Sequence, residues 1–169
     1  DFGKEVLRKV DMPIKADLFG QWLHGATAAG LKADVNVSMH SVPSRFERFT
    51  DYVFDDPARK FRGEKQVLFE GELDDTGHAI FEKELWPGSE SPGVLSANFT
   101  SRVFEQGGAF SSSRSSIRYY PYNNYVGIKL PKGDQTRGML LTDVKHTVEI
   151  GTLDADSKPV SLSKVQVSL

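Results

Sequence analysis

The 169-residue sequence predicts an all-β protein: a seven-stranded antiparallel Greek-key β-sandwich followed by the first strands of a second one. Three observations carry this. Apolar residues alternate with polar ones over long stretches, the period of a strand with one buried face. Gly-, Asp- and Pro-rich turns recur between those stretches. No window holds a helical apolar stripe longer than about two turns, apart from a weak one in the first ten residues.

The elements follow in order. IKADLFGQWLH opens the first strand, 14–23, and GATAAG turns the chain into LKADVNVSM, 31–41. In the second strand Ala33, Val35, Val37 and Met39 alternate with Asp34, Asn36 and Ser38. A short strand at 50–54 precedes the charged stretch 55–65. Strands 66–73 and 79–86 flank Asp-Asp-Thr-Gly, a hairpin signal in which Asp caps its own backbone and Gly supplies positive φ. Strands 94–105 and 109–119 flank Gln-Gly-Gly. Seven strands over about 105 residues is the rhythm of a Greek-key sandwich.

The stretch YYPYNNYVG, 119–127, is aromatic and turn-rich. Three further strands are expected beyond it, with alternation in Val144, His146, Val148 and Ile150 and in Val165, Val167 and Leu169. Three strands cannot bury both faces of a sandwich. The expected organisation is a linker over 1–12, a sandwich over 13–120 and the opening part of a second domain over 121–169. The unfinished apolar face is expected either to fold back onto the first domain or to self-associate. The first residues have no signal-peptide h-region and SKVQVSL ends as a strand stopped short, so the chain is expected to be a piece of something longer.

Composition narrows function by exclusion. Lys plus Arg number 21 against 23 Asp plus Glu, a net charge of −2 that offers no attraction for nucleic acid or an anionic membrane. Without cysteine there are no disulfides, thiolate nucleophiles or thiolate metal sites. No run approaches the ~18 apolar residues of a membrane-spanning helix.

The four histidines, His24, His40, His78 and His146, show no metal-ligand spacing. His146 alternates with valines and is expected to be partly buried on a strand; His78 follows a turn and is expected to be solvated. The pairs Asp55–Asp56 and Asp74–Asp75 are better turn caps than glycosidase carboxyls, because neighbouring residues do not face one another across a cleft. Asp154 and Asp156 begin like a calcium loop, but the central Gly and the closing Glu are missing. SSSRSS, 111–116, with Arg114 within it, reads as a polar strand. The sequons at Asn36 and Asn98 fall mid-strand. No cofactor site and no catalytic residue emerges.

Several segments together resemble the bacterial alpha-2-macroglobulin family: LFGQWLHGATAAGLKADVNVSM, FTDYVFDDP, GELDDTGHAIFEKEL and LSANFTSRVFEQGGAFSSS, followed by YYPYNNYVGIKLP and TVEIGTLDADSKPVSLSKVQVSL. The resemblance runs from about Pro13 onward. It implies macroglobulin-type sandwiches acting as a non-catalytic scaffold in a protease-trapping inhibitor of the periplasm or cell envelope, held there by a lipid anchor in many members. Its implied partners are the other domains of the same polypeptide and the target proteases. The family's thioester motif, Cys-x-Glu-Gln, does not carry over: Val103-Phe104-Glu105-Gln106 has valine where sulfur is required.

Phe110, Tyr119, Tyr120, Tyr122 and Tyr125 are expected at the inter-domain hinge, since aromatics supply large contact area with few rotors. Arg59, Lys60, Arg62 and Lys65 mark 55–65 as the loop a trypsin-like protease would reach. Two rival readings are an adhesion or carbohydrate-binding module stacking sugars on Trp22, Trp86 and Tyr52, and a hydrolase using His24 or His78 with nearby acids.

Overall fold

A computed structural model describes residues 3–88, 91–134 and 136–167. Nine strands are assigned: β1 Val6–Arg8, β2 Ile14–Phe19, β3 Lys32–Ser41, β4 Gln66–Glu72, β5 His78–Lys83, β6 Leu95–Phe104, β7 Phe110–Tyr120, β8 Asn124–Lys129 and β9 Glu149–Asp154. Single-turn 3-10 helices occupy Lys9–Asp11 and Glu47–Phe49. β1-β7-β6-β3-β4 form one sheet, β2-β5 face it, and β8-β9 form a separate ribbon. The chain crosses between the two main sheets from β1 to β2 to β3 and again from β4 to β5 to β6.

The core lies where the alternation placed it. Val35, Val37, Met39, Leu95, Ala97 and Phe99 pack with Leu7, Ile14, Leu68 and Phe81. The opposite face of β3 carries Asp34, only 8% exposed and held by Arg102, whose Nε lies 3.0 Å from its carboxylate. The Asp34 carboxylate keeps the Arg102 guanidinium charged, raising its pKa further. Asn36 is buried and donates to Asp34 at 3.0 Å, and Asn98 reaches His40 at 2.8 Å. Both sequon asparagines are therefore engaged in the sheet's own hydrogen bonding.

The turns use the chemistry their residues promise. Asp74 Oδ1 accepts from Thr76 N, Thr76 Oγ1 and His78 N at 2.7–2.9 Å, and Gly77 takes φ +82°. These donors, the His78 amide first, hold the Asp74 carboxyl below the usual aspartate range. A depressed folded-state pKa means stability that is present above the unfolded value and lost as pH falls through the folded one. Asp74→Asn is therefore expected to destabilise the hairpin at pH 7 and to make progressively less difference as pH falls below the ordinary aspartate range and the folded-state carboxylate is protonated; a series of urea titrations from pH 7 downward checks this. Asp154 repeats the device, accepting from Asp156 N at 2.8 Å and Lys158 N at 2.9 Å.

Four expectations need correcting. Val6–Arg8 falls in the stretch expected to be a linker, yet β1 lies parallel to β7 with Val6 opposite Arg118, so the sheet is not wholly antiparallel. Three residues are too few to display a period. The strand expected at 50–54 is absent; a tight turn leads to one bridge, in which Val53 and Ile128 exchange backbone bonds of 2.9 Å. Residues 144–148 form no strand. Lys129 opposite Glu149 is the last rung of the β8–β9 ribbon, and Leu130-Pro131 then turns away, leaving 144–148 no edge to pair with. His146 is accordingly exposed and contacts the Leu141 carbonyl at 2.9 Å. The third tail strand is reduced to its first rungs, Leu153 opposite Pro159 and Val160 N to Thr152 O at 3.0 Å; Leu169 lies outside the described residues.

The first strand also ends early, at Phe19. Trp22 N bonds Ala26 O at 2.8 Å and Gly25 takes φ +92°, closing a tight turn. Trp22 and Leu23 are both exposed there, so neither joins the core.

Candidate inter-domain seam

The β8–β9 ribbon docks on the end of the sandwich through a second, aromatic cluster. Phe46, Phe54, Val94, Tyr120, Tyr125 and Leu153 form its buried part, with Tyr122, Tyr52 and Phe49 packed around it. Each chain segment contributes for a local reason. The turn at Glu47–Phe49 places Phe46 and Phe49 beside each other, and the Val53–Ile128 bridge draws Phe54 inward. On β8 and β9 the period of two puts Tyr125, Gly127, Gly151 and Leu153 on the inner face.

The rings meet edge to face. Phe46 and Phe54 lie 4.7 Å apart at 66°, Phe46 and Tyr125 5.1 Å at 54°, and Tyr120 and Tyr125 6.1 Å at 86°. These are the tilted arrangements aromatic quadrupoles favour. Burying Leu153, fully covered, contributes ~1.5–3 kcal/mol by itself. Burial pushes the Tyr125 phenol well above the ordinary tyrosine range, so it stays neutral, accepting from Tyr122 N at 3.4 Å. Tyr122 donates its own hydroxyl to Ser91 O at 2.6 Å.

A polar rim surrounds the rings. Tyr52 donates to Glu149 at 3.1 Å, and Lys129 lies 3.3 Å from the same carboxylate. Lys129 first, then the Tyr52 hydroxyl, lower the Glu149 pKa, and Glu149 in turn raises that of Lys129. Arg8 of β1 pairs with Asp156 in the turn after β9, tying the first sheet to the ribbon.

Gly127 and Gly151 face each other across the ribbon. A Cβ on Gly127 would fall 2.5 Å from the Phe54 ring, and one on Gly151 3.0 Å from Phe49 and Tyr52. The ribbon offers bare backbone where the sandwich offers rings. The sequence signal for this was a glycine inside each of two alternating strands, a mark of close backbone approach.

Of the residues expected at a hinge, Tyr120, Tyr122 and Tyr125 come together here. Tyr119 faces the main core, and Phe110 is elsewhere, 55% exposed at the far end of β7 against Phe104 and Arg102. Phe46, Phe54, Val94 and Leu153 were not anticipated. Trp22, Trp86 and Tyr52 are not brought together: the tryptophans follow β2 and β5, whose antiparallel pairing puts them at opposite ends of that ribbon, and Tyr52 belongs to the seam. His24 stacks on Trp22 at 6.3 Å, whereas His78 pairs with Asp17 at 2.9 Å. Val103-Phe104-Glu105-Gln106 sits at the end of β6, before a turn closed by Gly108 N to Glu105 O at 3.0 Å.

Residues 4–119 match the family model of the bacterial alpha-2-macroglobulin MG5 domain. The chain belongs to the bacterial alpha-2-macroglobulin family. No curated protein matches it. Among solved structures, the native conformation of Escherichia coli alpha-2-macroglobulin is 17% identical, with a TM-score of 0.58 over 93% of this chain and 10% of that one. The same E. coli protein activated by porcine elastase is 20% identical, with a TM-score of 0.52 over 92% of this chain and 14% of that one. Salmonella alpha-2-macroglobulin reacted with methylamine is 18% identical, at 0.56 over 94% of this chain and 11% of that one. The all-β, macroglobulin-type fold is thereby shown, and the chain spans only about a tenth of these relatives. The structural likeness also continues past residue 119, where the family model stops, into the segment that forms the seam.

Proposed function

We propose that the chain is a non-catalytic scaffold piece of a bacterial alpha-2-macroglobulin-like protease inhibitor of the periplasm or cell envelope, with a sandwich ending near residue 120 and the start of a second domain after it. The observation that carries this is the family match over residues 4–119. The seam supplies the physical role. Edge-to-face rings and bare glycine backbone fix the next ribbon at one angle, so a shape change elsewhere in the protein reaches it as a rigid-body motion. Tyr120, Tyr122 and Tyr125 are the hinge residues in this reading, and the partners are neighbouring domains and, through the whole protein, proteases.

The test uses the full-length parent, loaded with trypsin or elastase. Trapping is expected to leave the protease active on a small peptide substrate and inactive on a large protein. A parent that leaves proteolysis of the large substrate untouched would sink the proposal, as would peptidase activity in this chain.

Accessibility to proteases follows from the same surfaces. Arg59, Lys60, Arg62 and Lys65 are all exposed, with Arg59 held by Asp56 at 3.0 Å. The described residues of 131–148, which the sequence did not single out, are equally irregular and expose Lys132, Arg137 and Lys145. Brief trypsin digestion followed by mass spectrometry is expected to give first cuts in these two segments and to spare Arg102 and Arg118, which lie inside paired strands.

A further inference from the structure

The serine tract that the scaffold reading leaves unused lies beside a cationic cleft. On β7, Arg114, Ser116 and Arg118 fall on one face, in register with Thr100, Asn98 and Ser96 of β6. Ser96 Oγ and Ser116 Oγ are 2.9 Å apart, and Ser96 is 8% exposed. A cleft of about 380 Å³ opens over them, lined by Val42, Pro43, Arg45, Ser96, Ser116, Ile117 and Arg118. It therefore combines two guanidinium groups and two hydroxyls, and among the described residues no carboxylate lines it.

That composition is unusual for this chain, which carries more acids than bases. Arg45, Arg114 and Arg118 are exposed and, like Arg48, Arg62 and Arg137, make no ion pair among the described residues, but of these six only Arg45 and Arg118 line a cleft together. Both cleft arginines project from fixed backbone. Arg118 sits on a strand paired on both sides, by β6 and by β1. Arg45 follows Ser44, whose amide is held by Asp55 at 3.1 Å and whose hydroxyl accepts from Val94 N at 2.7 Å.

We propose that this cleft binds a carboxylate carried by an acidic segment of a polypeptide partner, with Arg45 and Arg118 as the charged donors and Arg114 as a second contact along the same strand. Planar guanidinium forks pair with carboxylates through two parallel bonds, and a fixed backbone lowers the ordering cost of making them. Charge complementarity selects the acidic partner. Because the Ser96 and Ser116 hydroxyls bond each other, at most one hydroxyl proton is left to add a neutral donor. Nothing in this depends on protease trapping.

The 169-residue chain titrated with a hexaglutamate peptide at low salt tests it, with NMR following the arginine side-chain Nε–H signals. Saturable shifts are expected at Arg45 and Arg118. Arg45→Gln and Arg118→Gln are each expected to weaken binding at least about tenfold, with Arg118→Lys intermediate and Lys15→Gln unchanged. Arg45 lies outside the strands, so its variant keeps the test decisive if Arg118→Gln perturbs the sheet. No saturable shift, or equal affinity in the double variant, overturns the proposal. So does saturation by inorganic phosphate alone with no response to hexaglutamate, which would mark a free-anion site.

Discussion

Leu95→Ala is expected to cost ~2–5 kcal/mol of unfolding free energy, in the upper half of that range. Leu95 has no exposed surface and opens β6, with Ser41 of β3 on one side and Tyr119 of β7 on the other. It packs in the cluster that includes Leu7, Val37, Leu85 and Tyr119, contributed by all seven strands from β1 to β7 and the segment after β5. Truncation removes the transfer energy of three carbons and leaves a cavity besides. Strand pairing on both sides stops the backbone from closing that cavity, which is why the larger values apply. Urea unfolding monitored by circular dichroism gives the number, with Val126→Ala as a surface comparison. Val126 is 42% exposed on the outer side of β8, and its truncation is expected to stay within about 0.5 kcal/mol. A loss below about 1 kcal/mol for Leu95→Ala would mean that the cluster is not the cooperative centre of the sandwich.

Much of this core was legible because burial and period coincide in β3 and in the first half of β6. Their expected limits differ from the observed ones by a residue or so at each end. In β3 and the first half of β6 one face meets the opposing sheet, so the inward positions Val35, Val37, Met39, Leu95, Ala97 and Phe99 are apolar, whereas in β7 only Ile117 and Tyr119 turn inward and the serine tract before them stays exposed. Legibility fails where a partner, rather than a period, decides. Residues 144–148 alternate as cleanly as β3 does, but Pro131 ends the strand they would have needed. Val6–Arg8 shows no alternation worth reading and still pairs, because the free edge of β7 is there.

The seam divides in the same way. YYPYNNYVG announces three of its rings by composition, since aromatics beside Pro and Asn mark a packed turn. Phe46 and Phe54 carry no such sign. Each stands in a short irregular stretch with charged residues beside it, and its burial draws on Tyr125 of β8 and Leu153 of β9, about 70 to 110 residues later. No local pattern encodes a contact whose other half is so distant. Gly127 and Gly151 were the readable half: strands rarely spend interior positions on glycine without a close neighbour to accommodate.

Gly127→Val turns that reading into the second large effect. The new Cβ would lie 2.5 Å from two carbons of the Phe54 ring and 2.8 Å from a third, well inside contact distance. Phe54 has nowhere to retreat, with Phe46 at 4.7 Å, Phe49 at 6.1 Å and Tyr52 at 6.3 Å between centroids. Valine is a better strand former than glycine, a gain of at most about 1 kcal/mol, against an overpacking cost of ~1–3 kcal/mol for its first carbon alone. The clash wins, and it acts on the seam rather than the core. Hydrogen exchange is expected to accelerate across Asn124–Lys129 and Glu149–Asp154 while the amides of β3 and β6 keep their protection. Adding Phe54→Ala makes room for the valine, so the double variant should lose less than the two single losses combined. Equal loss of protection in β3 and β6 would show ribbon and sandwich to be one cooperative unit. Unchanged protection in β8 would show that the rings are not what fixes the angle between them.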